Sequence, residues 1–535
     1  MTRDQTSRPR VLLVGLDATE VTLIEKWIDR GDLPHLAALK QRGAFGRMGS
    51  TAELNGSPWV SFQTGVHPGD HGYHNFLLWN AQKMRHDRPN HDWPGTVPFW
   101  RDLSNQGPYT VAVDVPDTFP GENFHGFEIG SWAGHYLMCP TYTMPPDRAK
   151  DLQRRYGKTP MPMETAGFLT AQELLGIRDA MLRVTETQTK LHEELLQSEP
   201  WDLFITAYGT THRAGHQLFT DTGVAGEIPS HLREAFDDAL RQVYIAADAA
   251  LGRMLMLIDD DTTVMVFACH GMTDNRTLAT HLPEMVRRIV EDDDGSSHEQ
   301  AGEAKPGLTK RLRNVVPLSW RSAVKNRLPQ AWQDALTLFW RTSQENWAQT
   351  PVFCVLPDLQ GFVRVNLVGR ERDGIVQPGE EYEQWLQKVT EGLKTFVDDD
   401  TGEPIVARIK RPRDFYPQGK RNDALPDLIV DWPPRVAADF RSMSSPRYGR
   451  IRTMLDGKAP EGRSGHHWYD GWILIAGKHV EPGSTLEGVH ALDLAPTLYA
   501  LYGLTPPDYF SHTPSQTLLD TIRPGQPSAE TTVST

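Results

Sequence analysis

The sequence predicts an α/β fold: a doubly wound, mostly parallel sheet with helices on both faces and an inserted helical cap. Short, continuously apolar runs recur along the chain, and such runs are typical of strands buried on both faces of a parallel sheet. Amphipathic stretches of helical length separate them, an alternation that favours a doubly wound sheet. The 535 residues are enough to bury a large core.

The first strand candidate is VLLVGLD, and the helix-like stretch that follows it ends at Gly31. The later strand candidates are YTVAVDVP, FEIGSW, WDLFITAYG, TTVMVFACHG, PDLIVDW and GWILIAG. The longest amphipathic stretches cover residues 171–197 and 231–258. These elements predict a core in two parts, residues 1–286 and 351–519.

Two segments depart from this pattern. Residues 287–350 include the polar run EDDDGSSHEQAGEAKPG, which starts at Glu291, and continue with a segment rich in Arg, Lys and Trp that has no strand pattern. We interpret them as a loop and helical cap inserted into the core. Residues 520–535 have the polar composition of a disordered tail.

Composition excludes several classes of protein. The net charge of −14, from 55 basic and 69 acidic residues, argues against a nucleic-acid partner. Three well-separated cysteines favour a reducing compartment over a disulfide framework. The sequence shows no signal-peptide pattern and no apolar run of the ~18 residues that cross a bilayer. We therefore expect a cytoplasmic protein without a membrane partner; the sequence does not indicate an oligomeric state.

Four histidines and one aspartate follow or flank predicted strands: Asp17, His212, His216, His270 and His467. Functional sites in open α/β sheets form at the carboxyl ends of the strands. A helical HxxxH motif also places His212 and His216 on one face, one turn apart. An isolated HxxxH more often packs or caps, but this alternative weakens when His270 and His467 also lie beside strands. The pattern predicts a metal centre.

At this point the chain resembles the alkaline phosphatase superfamily, and within it the type I phosphodiesterase/nucleotide pyrophosphatase branch. The blocks that carry the resemblance occur in family order over about residues 10–507: GLDATE, GDLPHLAAL, SPWVSFQTGVHPGDHG, HRAGH, CHG, GHHWYDGWILIAG and ALDLAPTLYALYGLTPP. The resemblance implies an alkaline phosphatase-like core that binds two metal ions, often zinc. It also implies a Thr or Ser nucleophile and phosphate or sulfate ester substrates.

The resemblance further implies two half-sites. The first would consist of His212, His216 and His467, and the second of Asp17, the nucleophile position, Cys269 and His270. Three positions depart from the family pattern. Asn55 occupies the nucleophile position, with Ser57 close by, and His212 and Cys269 stand where the family has aspartates. An amide cannot form the covalent intermediate that a hydroxyl forms.

These departures affect the two half-sites unequally. Three histidines with an open fourth position make a good zinc site. The second half-site keeps Asp17 and His270, whereas Cys269 is either a thiolate ligand for a soft metal or, more simply, a small apolar core residue. We therefore favour one zinc ion, with two as the alternative.

Several other polar residues are weaker candidates. Asn366 and Arg370 lie in GFVRVNLVGRERDG, which also recurs in the family, and are candidate contacts for an anionic or sugar group. Arg370 would equally suit a pair with a surface carboxylate. For His71 we expect a structural role in its Gly-rich turn. The family spacing selects His467 over His466 as the ligand.

Three hypotheses for function follow. In the first, a metal-bound hydroxide attacks an ester-type or related small-molecule or glycan substrate. Asp17 or His270 orients or deprotonates the water, and Asn55 donates a hydrogen bond to substrate or a developing oxyanion. In the second, Ser57 forms the family's covalent intermediate on a phosphodiester or phosphomonoester. In the third, the chain is a non-hydrolytic descendant: a binding protein, transferase or isomerase.

Overall fold

The computed structural model describes residues 8–523, except 50–52, 55, 57, 91–92, 94, 96, 135–136, 163–166, 293–345, 454 and 456. Its strands are β1 (Val11–Leu16), β2 (Gly43–Gly49), β3 (Leu78–Asn80), β4 (Arg85–Asp87), β5 (Thr110–Val113), β6 (Gly126–Gly130), β7 (Tyr142–Met144), β8 (Leu203–Tyr208), β9 (Thr263–Ala268), β10 (Gly271–Asp274), β11 (Val352–Cys354), β12 (Gly361–Val365), β13 (Val397–Asp398), β14 (Arg408–Lys410), β15 (Leu428–Asp431), β16 (Ser442–Ser445), β17 (Gly449–Arg452), β18 (Gly465–Trp468), β19 (Gly471–Ala476) and β20 (Val489–His490).

The α-helices are α1 (Val21–Asp29), α2 (Pro34–Arg42), α3 (Pro58–Thr64), α4 (Pro68–His71), α5 (Phe99–Asn105), α6 (Ala149–Tyr156), α7 (Ala171–Ser198), α8 (Thr210–Leu218), α9 (Ser230–Asp237), α10 (Ala239–Leu255), α11 (Leu282–Glu291), α12 (Glu380–Lys394), α13 (Pro412–Phe415), α14 (Leu494–Leu501) and α15 (Gln516–Ile522). Within the described ranges, none of them combines the length and the apolar character needed to cross a bilayer.

The central sheet has nine strands in the order β20–β2–β19–β9–β1–β8–β5–β6–β7. All of them run parallel except β7 and β19, which run antiparallel to their neighbours. Helices cover both faces, so the predicted doubly wound, mostly parallel α/β sheet is confirmed.

Strand β1 shows why this sheet forms. Every residue of the strand is buried, and alternate side chains enter two different cores because side chains alternate across a strand. Leu12 and Val14 pack in the core under α1, α2, α7 and α10. Val11 and Leu13 pack in the opposite core, with α3, α5 and α14.

A second, smaller sheet lies outside the central one. Its order is β11–β12–β15–β14, with antiparallel pairing throughout, and α11 and α12 pack on it around a separate core. The predicted strand PDLIVDW is β15 of this sheet, so its placement in the parallel sheet is wrong. Leu428 and Val430 face one core and Ile429 another, and such a two-sided apolar strand has the same composition in either sheet.

The helix boundaries refine the predicted segments. Helix α7 matches the predicted stretch 171–197, whereas 231–258 divides into α9 and α10 near Asp238. The predicted cap overlaps the end of α11 and the start of the second sheet region, and residues 293–345 lie outside the described residues. Helix α15 continues to Ile522, past the predicted boundary at Leu519, because Leu518 and Ile522 pack into the core. The remainder of the predicted tail lies outside the described residues.

Candidate metal centre

The topology brings the predicted residues to one edge of the sheet. Asp17 directly follows β1, His270 follows β9, and α8, which carries His212 and His216, starts two residues after β8. These three strands are parallel neighbours, so their carboxyl ends meet at the same edge. His467, the fourth imidazole, lies on β18. This strand pairs with β10, which begins directly after His270.

Three of the imidazoles converge through their Nε2 atoms. His212 Nε2 lies 3.0 Å from His216 Nε2 and 3.0 Å from His467 Nε2. Tetrahedral zinc with Zn–N bonds of 2.0–2.1 Å places its ligand nitrogens roughly 3.3 Å apart. Both measured distances are close to this spacing, and the ligand atoms of all three residues lie within 4.8 Å of one another, so they form one of the groups in the described chain that could hold a metal.

The Nδ1 partners determine which ring nitrogens carry protons. His216 Nδ1 lies 2.9 Å from the Gly465 carbonyl oxygen, which can only accept, so His216 Nδ1 donates. His212 Nδ1 lies 2.9 Å from Asp17 Oδ2 and donates to this carboxylate. When both rings are neutral, both Nε2 atoms carry lone pairs that face each other at 3.0 Å. Since two acceptors at this distance repel, the arrangement fits a cation between them.

Asp17 orients His212. Its Oδ2 accepts from His212 Nδ1, its Oδ1 accepts from the Trp59 indole at 2.7 Å, and the side chain is fully buried. Gly15 permits this contact because a Cβ there would lie 2.5 Å from the Trp59 ring. The arrangement is the carboxylate–histidine pair that fixes the tautomer of metal-ligating histidines. Asp17, His212 and His270 also lie close enough to share an ion, but both oxygens of Asp17 already have donors.

His270 and Cys269 differ in character. His270 is 2 % exposed, and neither ring nitrogen has a hydrogen-bond partner among the described residues. Its ring centroid lies 4.7 Å from that of His467, and burial lowers its pKa well below the ordinary value, so the ring is neutral. Cys269 packs in the apolar core. Burial and then the charge of Asp17 raise the pKa of the Cys269 thiol, which disfavours the thiolate.

The structure adds a carboxylate that the sequence did not single out. Asp358 Oδ2 lies 3.4 Å from His467 Nδ1, and Oδ1 lies 3.7 Å from His466 Nε2. Although burial opposes it, the neighbouring His467 lowers the pKa of Asp358, which is therefore ionised. Asp358 comes from the loop between β11 and β12, and VLPDLQGF contains no motif that could have identified it.

Residues 11–453 match the model of the family described as type I phosphodiesterase / nucleotide pyrophosphatase. The chain belongs to this family. It is a hydrolase of phosphodiesterase-like type in the alkaline phosphatase superfamily, whose members are typically metal-dependent. The matched span includes Asp17, His212, His216 and His270, whereas His467 lies beyond it.

Solved structures with similar folds have low sequence identity to this family member. Human ectonucleotide pyrophosphatase/phosphodiesterase 5 is 13% identical, with 96% of this chain and 99% of that chain covered and a TM-score of 0.45. Phosphonoacetate hydrolase from Sinorhizobium meliloti in complex with phosphonoacetate is 12% identical, with 92% and 95% covered and a TM-score of 0.49. No curated protein sequence matches the chain.

Asn366 and Arg370, the predicted substrate contacts of this phosphodiesterase-like chain, bond to residues outside the histidine cluster. Asn366 donates to the carbonyl oxygens of Trp347 and Asp373. Arg370 makes a bidentate pair with Asp427 and also bonds Glu371, all buried, so its partners are core carboxylates instead of surface ones. These contacts favour a structural role for both over the predicted substrate contacts.

The remaining predictions are resolved in part. Asn55 and Ser57 lie outside the described residues, so their roles stay predictions. His71 Nδ1 accepts from the Tyr73 backbone N–H at 2.9 Å, which is the structural role expected in its turn. His466 Nδ1 likewise accepts from the His467 backbone N–H at 2.8 Å. Its Nε2 therefore carries the proton and lies 3.7 Å from Asp358 Oδ1, so His467 is the better candidate ligand of the two.

Proposed function

We propose that this family member is a metal-dependent hydrolase of phosphodiesters or related small anionic esters that works with a single ion, zinc by preference. His212, His216 and His467 would hold the ion. The main support is that His212 Nε2 lies 3.0 Å from both His216 Nε2 and His467 Nε2. The Nδ1 atoms of His212 and His216 each face an acceptor. Once bound, the ion would act as a Lewis acid on the ester and lower the pKa of water.

His270 is the residue we assign to orienting the reacting water. It is buried, and its two ring nitrogens have no partner among the described residues, so one nitrogen can accept a hydrogen bond from the water while the other donates one. Asp17, by contrast, holds His212 in place. Asn55, at the family's nucleophile position by sequence, would donate a hydrogen bond to the developing oxyanion.

The use of one ion instead of two is supported by the second half-site. Asp17 has hydrogen-bond donors on both oxygens, and Cys269 is a buried thiol in the apolar core. Among the described residues of this half-site, His270 is the one with an unpartnered ligand nitrogen. A hard or borderline divalent ion needs several such donors, so we expect a second ion to bind weakly.

The test combines metal counting with the removal of one hydroxyl. Elemental analysis of the purified protein is expected to give about one zinc per chain. Removal of the metal should abolish hydrolysis of bis(p-nitrophenyl) phosphate, and added zinc should restore it. The Ser57→Ala variant should keep wild-type turnover. Two ions per chain together with an inactive Ser57→Ala variant would instead favour the covalent route through Ser57, since loss of a nucleophile removes nearly all activity.

A further inference from the structure

We propose that Asp358 is a positioning residue for the metal centre. In this proposal its carboxylate fixes His467 with Nε2 toward the ion and supplies negative charge behind the three-histidine set. The inference rests on the proposed function, because it assumes that His212, His216 and His467 bind one ion.

The Nδ1 atoms of the three rings differ in their partners. His216 Nδ1 donates to the Gly465 carbonyl and His212 Nδ1 donates to Asp17. His467 Nδ1 has no hydrogen-bond partner within the usual distance among the described residues, but Asp358 Oδ2 faces it at 3.4 Å. Metal-ligating histidines almost always donate their second N–H to a carboxylate or a carbonyl. Asp358 is the group placed to complete this pattern for the third ring.

The charge of a bound ion also favours a carboxylate at this position. A divalent ion held by three neutral imidazoles keeps its full charge, and the largest local charge in a site governs the groups around it. Two ionisable carboxylates face the cluster among the described residues, Asp17 and Asp358. Asp17 lies behind His212 and Asp358 behind His467, so together they place two negative charges around the ion without entering its coordination sphere.

The loop that carries Asp358 is held by several hydrogen bonds. Asn75 Nδ2 donates to the carbonyl oxygens of Leu356 and Pro357, and the Leu356 N–H donates to His86 Nε2. The Asp358 N–H donates to the Gln360 carbonyl. These bonds fix the backbone on both sides of the carboxylate, and the Asp358 side chain is 16 % exposed. An outer carboxylate held in this way can orient an imidazole precisely enough to matter for a metal.

A separate metal site at Asp358, His466 and His467, whose ligand atoms also lie close together, is a less favourable interpretation. His466 Nδ1 accepts the His467 backbone N–H, so His466 Nε2 carries its proton and has no lone pair for a metal. The proton on Nε2 points instead to Asp358 Oδ1 at 3.7 Å. His466 therefore orients Asp358, and Asp358 orients His467.

The experiment measures zinc affinity by competition with a chelator in the wild type and in the Asp358→Asn and Asp358→Ala variants. Loss of an outer carboxylate weakens metal affinity by about 10- to 100-fold. We expect Asp358→Asn to lose affinity because its charge is gone, and Asp358→Ala to lose more because the acceptor is gone as well. The number of ions at saturation should stay the same, and the d–d spectrum of cobalt-substituted protein should shift in the variants.

Asp470→Asn is the matched control. Asp470 lies shortly after β18, the strand that carries His467, but its side chain is half exposed and its carboxylate lies 3.7 Å from the Arg47 guanidinium. It should bind zinc like the wild type. The melting temperature of each metal-free variant separates positioning from folding, since a purely structural role would lower it without changing the affinity of the folded protein.

The outcomes distinguish this inference from the proposed function. A wild type that binds no zinc overturns both. A wild type that binds one zinc, with unchanged affinity in both Asp358 variants, overturns only the role of Asp358. Loss of a whole ion from the stoichiometry of Asp358→Asn would also overturn it, because Asp358 would then be a ligand.

Discussion

The two sides of the histidine cluster differ in how their polar atoms are used. On the side of His212 and His216, each ring has an acceptor on Nδ1 and presents Nε2 to a common point. On the side of Cys269 and His270, one residue is a core thiol and the other has two ring nitrogens without a hydrogen-bond partner among the described residues. In the proposed function, the first side binds the ion and the second receives substrate or water.

The comparison shows how a single substitution can redirect a neighbouring residue. By resemblance, position 212 is an aspartate in the family and Asp17 a metal ligand. With an imidazole at position 212, Asp17 Oδ2 accepts its Nδ1 proton at 2.9 Å and becomes the orienting carboxylate. In the proposed function, the histidine therefore adds a ligand to one half-site and takes Asp17 away from the other.

The largest effect is expected from His216→Ala. In the proposed site His216 supplies one of three ligand nitrogens. Its Nδ1 partner is a backbone carbonyl, so the change removes the ligand with little other disturbance. We expect zinc content to fall close to zero. Turnover of bis(p-nitrophenyl) phosphate should fall on the order of 10³-fold, because the Lewis acid contributes several kcal/mol.

The exposed helical residue His231 offers the control, since His231→Ala should retain both zinc and turnover. If His216→Ala keeps one zinc per chain, the ion does not bind on the side of His212 and His216. It would then have to bind on the side of His270.

A smaller effect is expected from Asp17→Asn, which distinguishes an orienting carboxylate from a ligand. An orienting role predicts zinc affinity about 10- to 100-fold weaker with the number of ions unchanged. Titration with a chelator and elemental analysis measure the two quantities separately. A loss of one ion from two would show that Asp17 binds a second metal and that the two sides are alike.

The sequence was sufficient for features that depend on local pattern. The spacing of His212 and His216 on a helix, and the apolar runs before Asp17 and His270, predicted the elements and the edge of the sheet at which they meet. Asp358 was not predictable in this way, because it reaches His467 from a loop of the second sheet through a contact between residues more than 100 positions apart. The role of Asp17 also depends on tertiary contacts, here with Trp59 and His212.

The smallest effect is expected at His192, a buried histidine outside the cluster. It tests whether this imidazole supports the fold, in contrast to the imidazoles proposed to bind the ion. His192 is fully buried, with Tyr208 Oη 3.0 Å from Nδ1 and Thr206 Oγ1 2.9 Å from Nε2. Burial lowers the pKa of His192 from 6.5 to about 3. Between these values the unfolded chain binds a proton that the folded chain does not, so stability falls as the pH falls below 6.5.

For His192→Gln we therefore expect a lower free energy of unfolding than the wild type at pH 7, because both hydrogen bonds change. That difference should shrink by about 1 kcal/mol at pH 5.5, where the wild type alone loses the proton-linked contribution of this ring. Urea unfolding of the two metal-free proteins at both pH values measures the change, with exposed His231→Gln as the reference. If the difference in free energy of unfolding between the two proteins is the same at pH 7 and pH 5.5, His192 has an ordinary pKa in the folded protein. Burial would then not lower the pKa of this histidine.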